Sequence, residues 1–158
     1  MVSRPSRQGR AERDGLREPA AATVKHRIDG GDLAAANLAA PIPLGAYFVG
    51  PECRGAWRRR ALQVENDPMS AVWITRAIID ADRGIAVGRA GFHGPPDADG
   101  AVEVGYAVDP AFRRRGYARA ALVALLKWAQ DDGSIRTVRA SIGPDNIASR
   151  RVASAASR

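Results

Sequence analysis

V-E-V-G-Y-A-V-D-P-A-F-R-R-R-G-Y-A-R-A-A-L-V-A-L-L-K-W-A-Q, residues Val102 to Gln130, carries two periodicities and the junction between them. Val102, Val104, Tyr106 and Val108 alternate with Glu103, Gly105 and Ala107, the two-residue repeat of a strand with one apolar face. Asp109-Pro110 stops that strand, because proline has no amide to give to a ladder. From Ala118 onward, Leu122, Leu125, Leu126 and Ala129 fall at helical spacing. The junction is R-R-R-G-Y-A, Arg113 to Ala118, with Gly116 at the mouth of the helix.

The first amides of a helix lack intrahelical partners, and the macrodipole makes that end partly positive. A phosphate can dock there if no side chain blocks the backbone, which Gly116 and the small Ala118 allow. Arg113, Arg114 and Arg115 add full charges beside it. The plainer reading is a solvated Arg run with a turn glycine. The stretch matches neither a Walker A loop nor G-x-G-x-x-G.

The spacing Arg113-x-x-Gly116-x-Ala118 resembles the [Q/R]-x-x-G-x-[G/A] pyrophosphate loop of the GNAT N-acetyltransferase superfamily. Its surroundings strengthen the resemblance: G-R-A-G-F-H-G upstream, V-E-V-G-Y-A-V-D-P before the loop, and N-I-A-S-R-R-V at Asn146–Val152. That order is similar to the branch that includes the Rim-type ribosomal-protein N-terminal acetyltransferases. The similarity runs from Val24 to Val152, with its specific motifs between Gly88 and Val152.

Composition bounds the reading. At 158 residues the chain suits one domain with a real core. Net charge is +7, and residues 1–27 supply more than half of it, with Arg4, Arg7, Arg10, Arg13, Arg17, Lys25 and Arg27 against Glu12, Asp14 and Glu18. The single Cys53 excludes an internal disulfide, and with only His26 and His93 no metal site is expected. No apolar run is long enough for a membrane span. The N-terminus has neither a secretory nor a transit-peptide pattern, so a cytoplasmic location is expected.

Residues 1–22 read as a disordered basic arm, too poor in apolar residues to repay ordering. Without interleaved aromatics it is not expected to bind nucleic acid. Residues 23–158 form the expected domain. Thr23–Ile28 reads as a short strand holding His26 in a structural role, and Asp32 as the N-cap of a helix Leu33–Ala39. Ala40–Pro51 is a Pro/Gly-punctuated loop of unusual apolar content. By the resemblance it lies over the acceptor site, where Tyr47 and Phe48 either line the pocket or pack on the core. Glu52–Glu65 reads as a helix with Arg58, Arg59 and Arg60 mostly outward.

Ala71–Ile79 and Ile85–Phe92 read as an antiparallel hairpin around Asp82–Gly84. His93 ends its second strand, facing the acceptor or, more simply, hydrogen-bonded in a structural role. After the long helix, Ile135–Ile142 reads as a strand parallel to the central one, and a last helix begins near Ile147. The class is α/β (α+β): a mixed sheet, antiparallel first and closed by a parallel strand–helix–strand unit, which is also the GNAT layout.

The resemblance implies the chemistry. In GNAT proteins two central parallel strands splay, and the pantetheine arm of acetyl-CoA lies in the gap as a pseudo-strand. Ala107 and Val108 would bind that arm through their backbone, and Gly105 fits a bulge or a close approach. Arg113, Arg114, Arg115, Gly116, Tyr117 and Ala118 would hold the pyrophosphate, and Asn146 would contact the arm further along. The acceptor is a primary amine, on a protein N-terminus or a small molecule. Glu103 is the candidate base, directly or through a water; the alternative is a carboxylate facing solvent or paired with an Arg. The Tyr often found on the last helix has no counterpart, and Ser149 is the nearest hydroxyl unless it merely caps that helix.

Past Val152 the family runs through a Gly-Phe pair into two more strands, whereas this chain reads A-S-A-A-S-R. The terminal hairpin is therefore expected to be missing. The rival reading is a truncated, non-catalytic acyl-CoA-binding or interaction module. An open edge at Ile135–Ile142 is expected to favour a homodimer, or else a destabilised monomer.

Overall fold

The computed structural model describes residues 16–17, 33–40 and 42–157. In chain order these form β1 (Leu16–Arg17), α1 (Leu33–Ala39), α2 (Ala46–Val49), α3 (Pro51–Asn66), a 3-10 turn (Pro68–Val72), β2 (Arg76–Asp80), β3 (Ile85–Phe92), β4 (Ala101–Val108), a second 3-10 turn (Pro110–Phe112), α4 (Tyr117–Asp131), β5 (Thr137–Arg139) and α5 (Ile147–Ala156). The strands lie in the order β1-β2-β3-β4-β5. The first four pair antiparallel, and β5 is parallel to β4. This is the expected mixed sheet.

Each face of the sheet carries its own core. On one, Val87, Ala90 and Phe92 of β3 and Val102, Val104 and Val108 of β4 pack against Ala121, Leu122, Leu125 and Ala129 of α4, with Val152, Ala153 and Ala156 of α5 beside them. On the other, Ala77 and Ala86 meet Ala36, Phe48, Val49, Cys53 and Trp57 from α1, α2 and α3. A shift of register between Ile78 and Ile79 makes this division possible. Ile78 pairs with Gly88 and Ile79 with Ala86, so Val87 has no opposite residue. The extra residue resets the alternation. Ala86 therefore faces α3, while Ala90 and Phe92 face α4.

Phe92 is fully buried and holds an aromatic cluster together. Its ring centroid lies 5.2 Å from Trp128 and 6.2 Å from Trp73, which are themselves stacked at 5.6 Å. Arg76 caps the stack with its guanidinium 4.8 Å from the Trp128 ring.

Four expectations need correction. Ala71–Ile79 is not one strand. Asp67 folds Pro68–Val72 into a 3-10 turn by accepting from the Met69 amide at 3.1 Å and from the Ser70 hydroxyl at 2.8 Å, so the strand starts at Arg76. Local side-chain-to-backbone bonds outweigh the strand preference of Val72, Trp73 and Ile74. Ile135–Ile142 contracts to Thr137–Arg139, between a turn closed on Asp132 and the irregular run before Pro144. Ala40–Pro51 is not all loop, since α2 lies within it, and α3 begins at Pro51, a favoured first helical residue. Leu16–Arg17, assigned to the arm, pair with Ile78 and Ala77 of β2; edge pairing uses backbone groups and needs little from the side chains. The rest of the arm, the strand Thr23–Ile28 with His26, and Asp32 lie outside the described residues.

Phe92→Ala should lower unfolding stability by about 3–5 kcal/mol, measured by chemical denaturation, because it empties the centre of the aromatic cluster.

Candidate functional site

Three register pairs join β4 to β5: Ala101 with Thr137, Val102 with Val138, and Glu103 with Arg139. Beyond Glu103 the two strands part, while β4 continues against β3 as far as Val108. The alternation of a strand tells which backbone groups face the gap. The Glu103 carbonyl accepts from His93 at 2.8 Å and the Asp109 amide donates to Val87 at 2.9 Å, so odd-numbered residues point toward β3. Ala107 is among them. The expectation that Ala107 presents its backbone to a ligand is therefore corrected by one residue: Tyr106 and Val108 face the gap. Gly105 marks no bulge, as β4 runs in unbroken register.

At the C-terminal end of the gap lies R-R-R-G-Y-A. Two of its residues are left-handed, Arg114 at φ 61° and Gly116 at φ 86°. For a residue with a β-carbon that conformation costs roughly 1–2 kcal/mol. Gly116 caps α4 without any side-chain hydrogen bond, and a β-carbon there would meet nothing within 4 Å. The glycine is needed for its backbone angle, and it leaves the helix mouth open. Arg114 and Arg115 are exposed beside it, Arg115 lying 5.6 Å over Phe112.

Arg113 is not free in the same way. Its Nε donates to the Val108 carbonyl at 3.0 Å and its Nη2 lies 4.0 Å from Glu52 on α3. It works as a strut across the end of the gap. Tyr117 donates its hydroxyl to buried Asp80 at 2.7 Å, while the other Asp80 oxygen accepts the amides of Asp82 and Arg83. These bonds, the one from Tyr117 foremost, hold the Asp80 carboxyl below its ordinary range, and the same bond raises the phenol. Ala118 is small because it packs on the core of the α4 face. The Asn146 side chain accepts from the Ser149 amide at 3.0 Å and so caps α5, and the Ser149 carbonyl accepts the Tyr106 hydroxyl at 2.7 Å. Asn146 and Ser149 thus fasten α5 to the sheet beside the gap.

Glu103 stands where β4 and β5 part. Hydrogen bonding from Ser141, just after β5, holds its carboxylate below the usual range, with His93 adding to the effect. The His93 Nδ1 lies 3.5 Å from Glu103 Oε2. The imidazole lies over Gly105, where a β-carbon would fall 2.6 Å from Nε2. Arg60 and Gln63 of α3 both donate to the His93 carbonyl at 2.9 Å. Arg60 therefore turns inward, unlike Arg58 and Arg59, and burial together with Arg59 and Arg89 lowers its pKa.

Further along the same face, Arg89 lies in register with Ala107 and donates to the Glu52 carbonyl at 3.5 Å. Tyr47 is half-buried, its phenol raised by burial and by Cys53, whereas Phe48 is fully buried and stacks on Trp57. Phe48 is core. Sequence reading missed Ser141, Arg60 and Gln63 at this site. The hairpin register that sets His93 against Glu103 was the one available signal. Among the described residues, no group of three or more His, Cys, Asp or Glu side chains could hold a metal ion, and no helix is long and apolar enough to cross a membrane.

The family model described as acetyltransferase (GNAT) domain matches residues 47–156. This chain belongs to the GNAT acetyltransferase family. It is 34% identical over 79 residues to the uncharacterized N-acetyltransferase YjdG of Bacillus subtilis (strain 168), a match covering 50% of this chain and 45% of that protein. The chain thus spans less than half of that relative. Its fold is similar to the ribosomal-protein-S5-alanine acetyltransferase of Vibrio fischeri, with TM-score 0.57, 21% identity, and 89% and 75% of the two chains covered. It is also similar to RimL, a ribosomal L7/L12 alpha-N-protein acetyltransferase solved with coenzyme A, with TM-score 0.58, 21% identity, and 89% and 77% covered.

The Tyr117–Asp80 bond sets a pH dependence. Because the folded carboxyl is depressed, its stabilisation is present above the unfolded value of about 4 and is lost as pH falls through the folded value. Tyr117→Phe removes the largest cause of that depression. The drop in melting temperature between pH 7 and pH 3 should therefore be smaller in the variant than in the wild type, read by calorimetry across pH.

Proposed function

We propose that this GNAT chain transfers an acetyl group from acetyl-CoA to a primary amine. The observation that carries the reading is the parting of β4 from β5 at Glu103, in line with an open helix mouth flanked by Arg114 and Arg115. The residues fit the co-substrate. The backbone groups of Tyr106 and the amide of Val108 face the gap, suited to the amides of a pantetheine arm, while the Val108 carbonyl accepts from Arg113. The first amides of α4 and the guanidinium groups of Arg114 and Arg115 suit a pyrophosphate. Arg113 keeps the gap's end in shape, and Tyr117 ties the helix mouth to the β2–β3 turn.

The thioester supplies an activated acyl group: the amine nitrogen bonds to its carbonyl carbon, the carbon–sulfur bond breaks, and sulfur leaves as thiolate. The chain's own groups have two tasks. The Tyr106 amide, fixed on the gap side of β4, is placed to donate to the carbonyl oxygen as charge builds there. The acidic–basic cluster around Glu103, on the face toward α3, receives the amine and its proton. A protein N-terminal amine, with a pKa near 8 against about 10.4 for lysine, is the acceptor that asks least of such a cluster. The likeness of the fold to the S5-alanine and L7/L12 acetyltransferases supports that choice of acceptor.

Calorimetry tests the first half of the reading. Acetyl-CoA should bind the wild type, and Gly116→Glu should abolish binding by placing a carboxylate against phosphate. Gly116→Ala, which shares the backbone penalty without the charge, should retain it. Replacing both Arg114 and Arg115 with Ala should weaken binding roughly tenfold or more, since even one lost charge-assisted bond is worth about 1.5–3 kcal/mol. Unchanged affinity in Gly116→Glu would contradict the pyrophosphate assignment.

A further inference from the structure

His93 is held more firmly than a residue just past a strand end needs to be. Its amide donates to Glu103 and its carbonyl accepts from both Arg60 and Gln63, so β4 and α3 fix its backbone from two sides. Arg60 and Gln63 are themselves bonded at 2.7 Å. The ring is then steered by its neighbours. Nδ1 lies 3.5 Å from the Glu103 carboxylate, and Nε2 lies over Gly105, the position on β4 that carries no side chain. Any other residue at 105 would displace the imidazole. The His93 and Glu103 side chains are 41% and 39% exposed, so a ligand on this face can reach them.

We infer that His93, rather than Glu103, takes the proton from the acceptor amine, with Glu103 acting as a positioning residue through Nδ1. This rests on the acetyl-transfer reading above. A carboxylate held below its usual range is a poor proton acceptor from an ammonium group, whereas an imidazole can take a proton on one ring nitrogen while a carboxylate lies against the other. Glu103 is also tethered to Ser141, which fits it for orienting a ring rather than for moving. As the nitrogen–carbon bond forms, one amine proton passes to Nε2 and the ring becomes imidazolium, opposite the Glu103 carboxylate. The carbon–sulfur bond then breaks, and the ring returns its proton to the thiolate or to solvent. Glu103 of β4 lies against the ring, Arg60 of α3 reaches the His93 carbonyl, and Arg89 on β3 and Arg139 on β5 lie on the same face of the sheet, in register with Ala107 and Glu103. Glu103 is the one anion among these four.

The test is the pH–rate profile of the full chain with saturating acetyl-CoA and a set of short peptides bearing free N-terminal amines. His93→Ala should lower kcat by roughly 100- to 10,000-fold, leave acetyl-CoA affinity unchanged, and recover part of its rate when free imidazole is added. Glu103→Gln should lower kcat less and keep the acid limb. His93→Gln, which retains bulk over Gly105, serves if His93→Ala does not fold, and should lose the acid limb. An active wild type whose His93 variants keep both rate and acid limb overturns this inference alone. Loss of the limb in Glu103→Gln but not in His93→Gln also overturns it and makes Glu103 the base. A folded wild type that binds acetyl-CoA but acetylates no amine overturns the acetyl-transfer reading, and this inference with it.

Discussion

Parallel pairing between β4 and β5 stops at Glu103 and Arg139, and the organisation of the site follows from that stop. A sheet that continued to pair would satisfy the outward backbone groups of Tyr106 and the Val108 amide with protein. Here the ladder ends after three register pairs, and the gap is held open at both ends. At its apex the Glu103 backbone belongs to the sheet while its side chain holds Ser141, the residue leaving β5. At its mouth Arg113 reaches back to the Val108 carbonyl and toward Glu52. Buried polar backbone without a partner is costly, so such a gap is stable where solvent or a ligand can complete it.

The two faces of β4 have different tasks. Val102, Val104 and Val108 pack on α4 and supply the rigidity. The opposite face carries Glu103 and Gly105 beside His93, Arg60 and Gln63, with Arg89 further along, and supplies the polar chemistry. The irregularity at Val87 serves this division, because it lets Val87, Ala90 and Phe92 all reach the α4 core. Arg89 is then left to turn toward α3, where it meets Glu52. Rigidity on one side and polar groups on the other come from a single strand with a two-residue repeat.

The strand–junction–helix unit was legible because its signals are local. Valine alternation, Asp109-Pro110, Gly116 and the leucine spacing each act within a few residues. The family resemblance rested on the same stretch. Features that depend on partners far along the chain were not legible. The resemblance implies Ala107 at the gap, yet alternation tells only which residues share a side, and the backbone direction depends on the β3 register. Ser141 meets Glu103 from beyond the end of β5, far along the chain. Arg60 looked like part of a solvated run until the position of β3 supplied the His93 carbonyl. The 3-10 turn at Pro68–Val72 was hidden for another reason: Asp67 competes for backbone amides that strand propensity assigns elsewhere.

Amide hydrogen exchange, read residue by residue with and without saturating acetyl-CoA, reports whether the gap between β4 and β5 takes the co-substrate. The Gly105 and Ala107 amides face β3 and should be slow in both states. Those of Tyr106 and Val108 face the gap; they should exchange faster in the free protein and become slow when acetyl-CoA is bound. If Tyr106 and Val108 are already as protected as their neighbours without acetyl-CoA, or stay fast at saturation, the gap between β4 and β5 is not where the co-substrate binds.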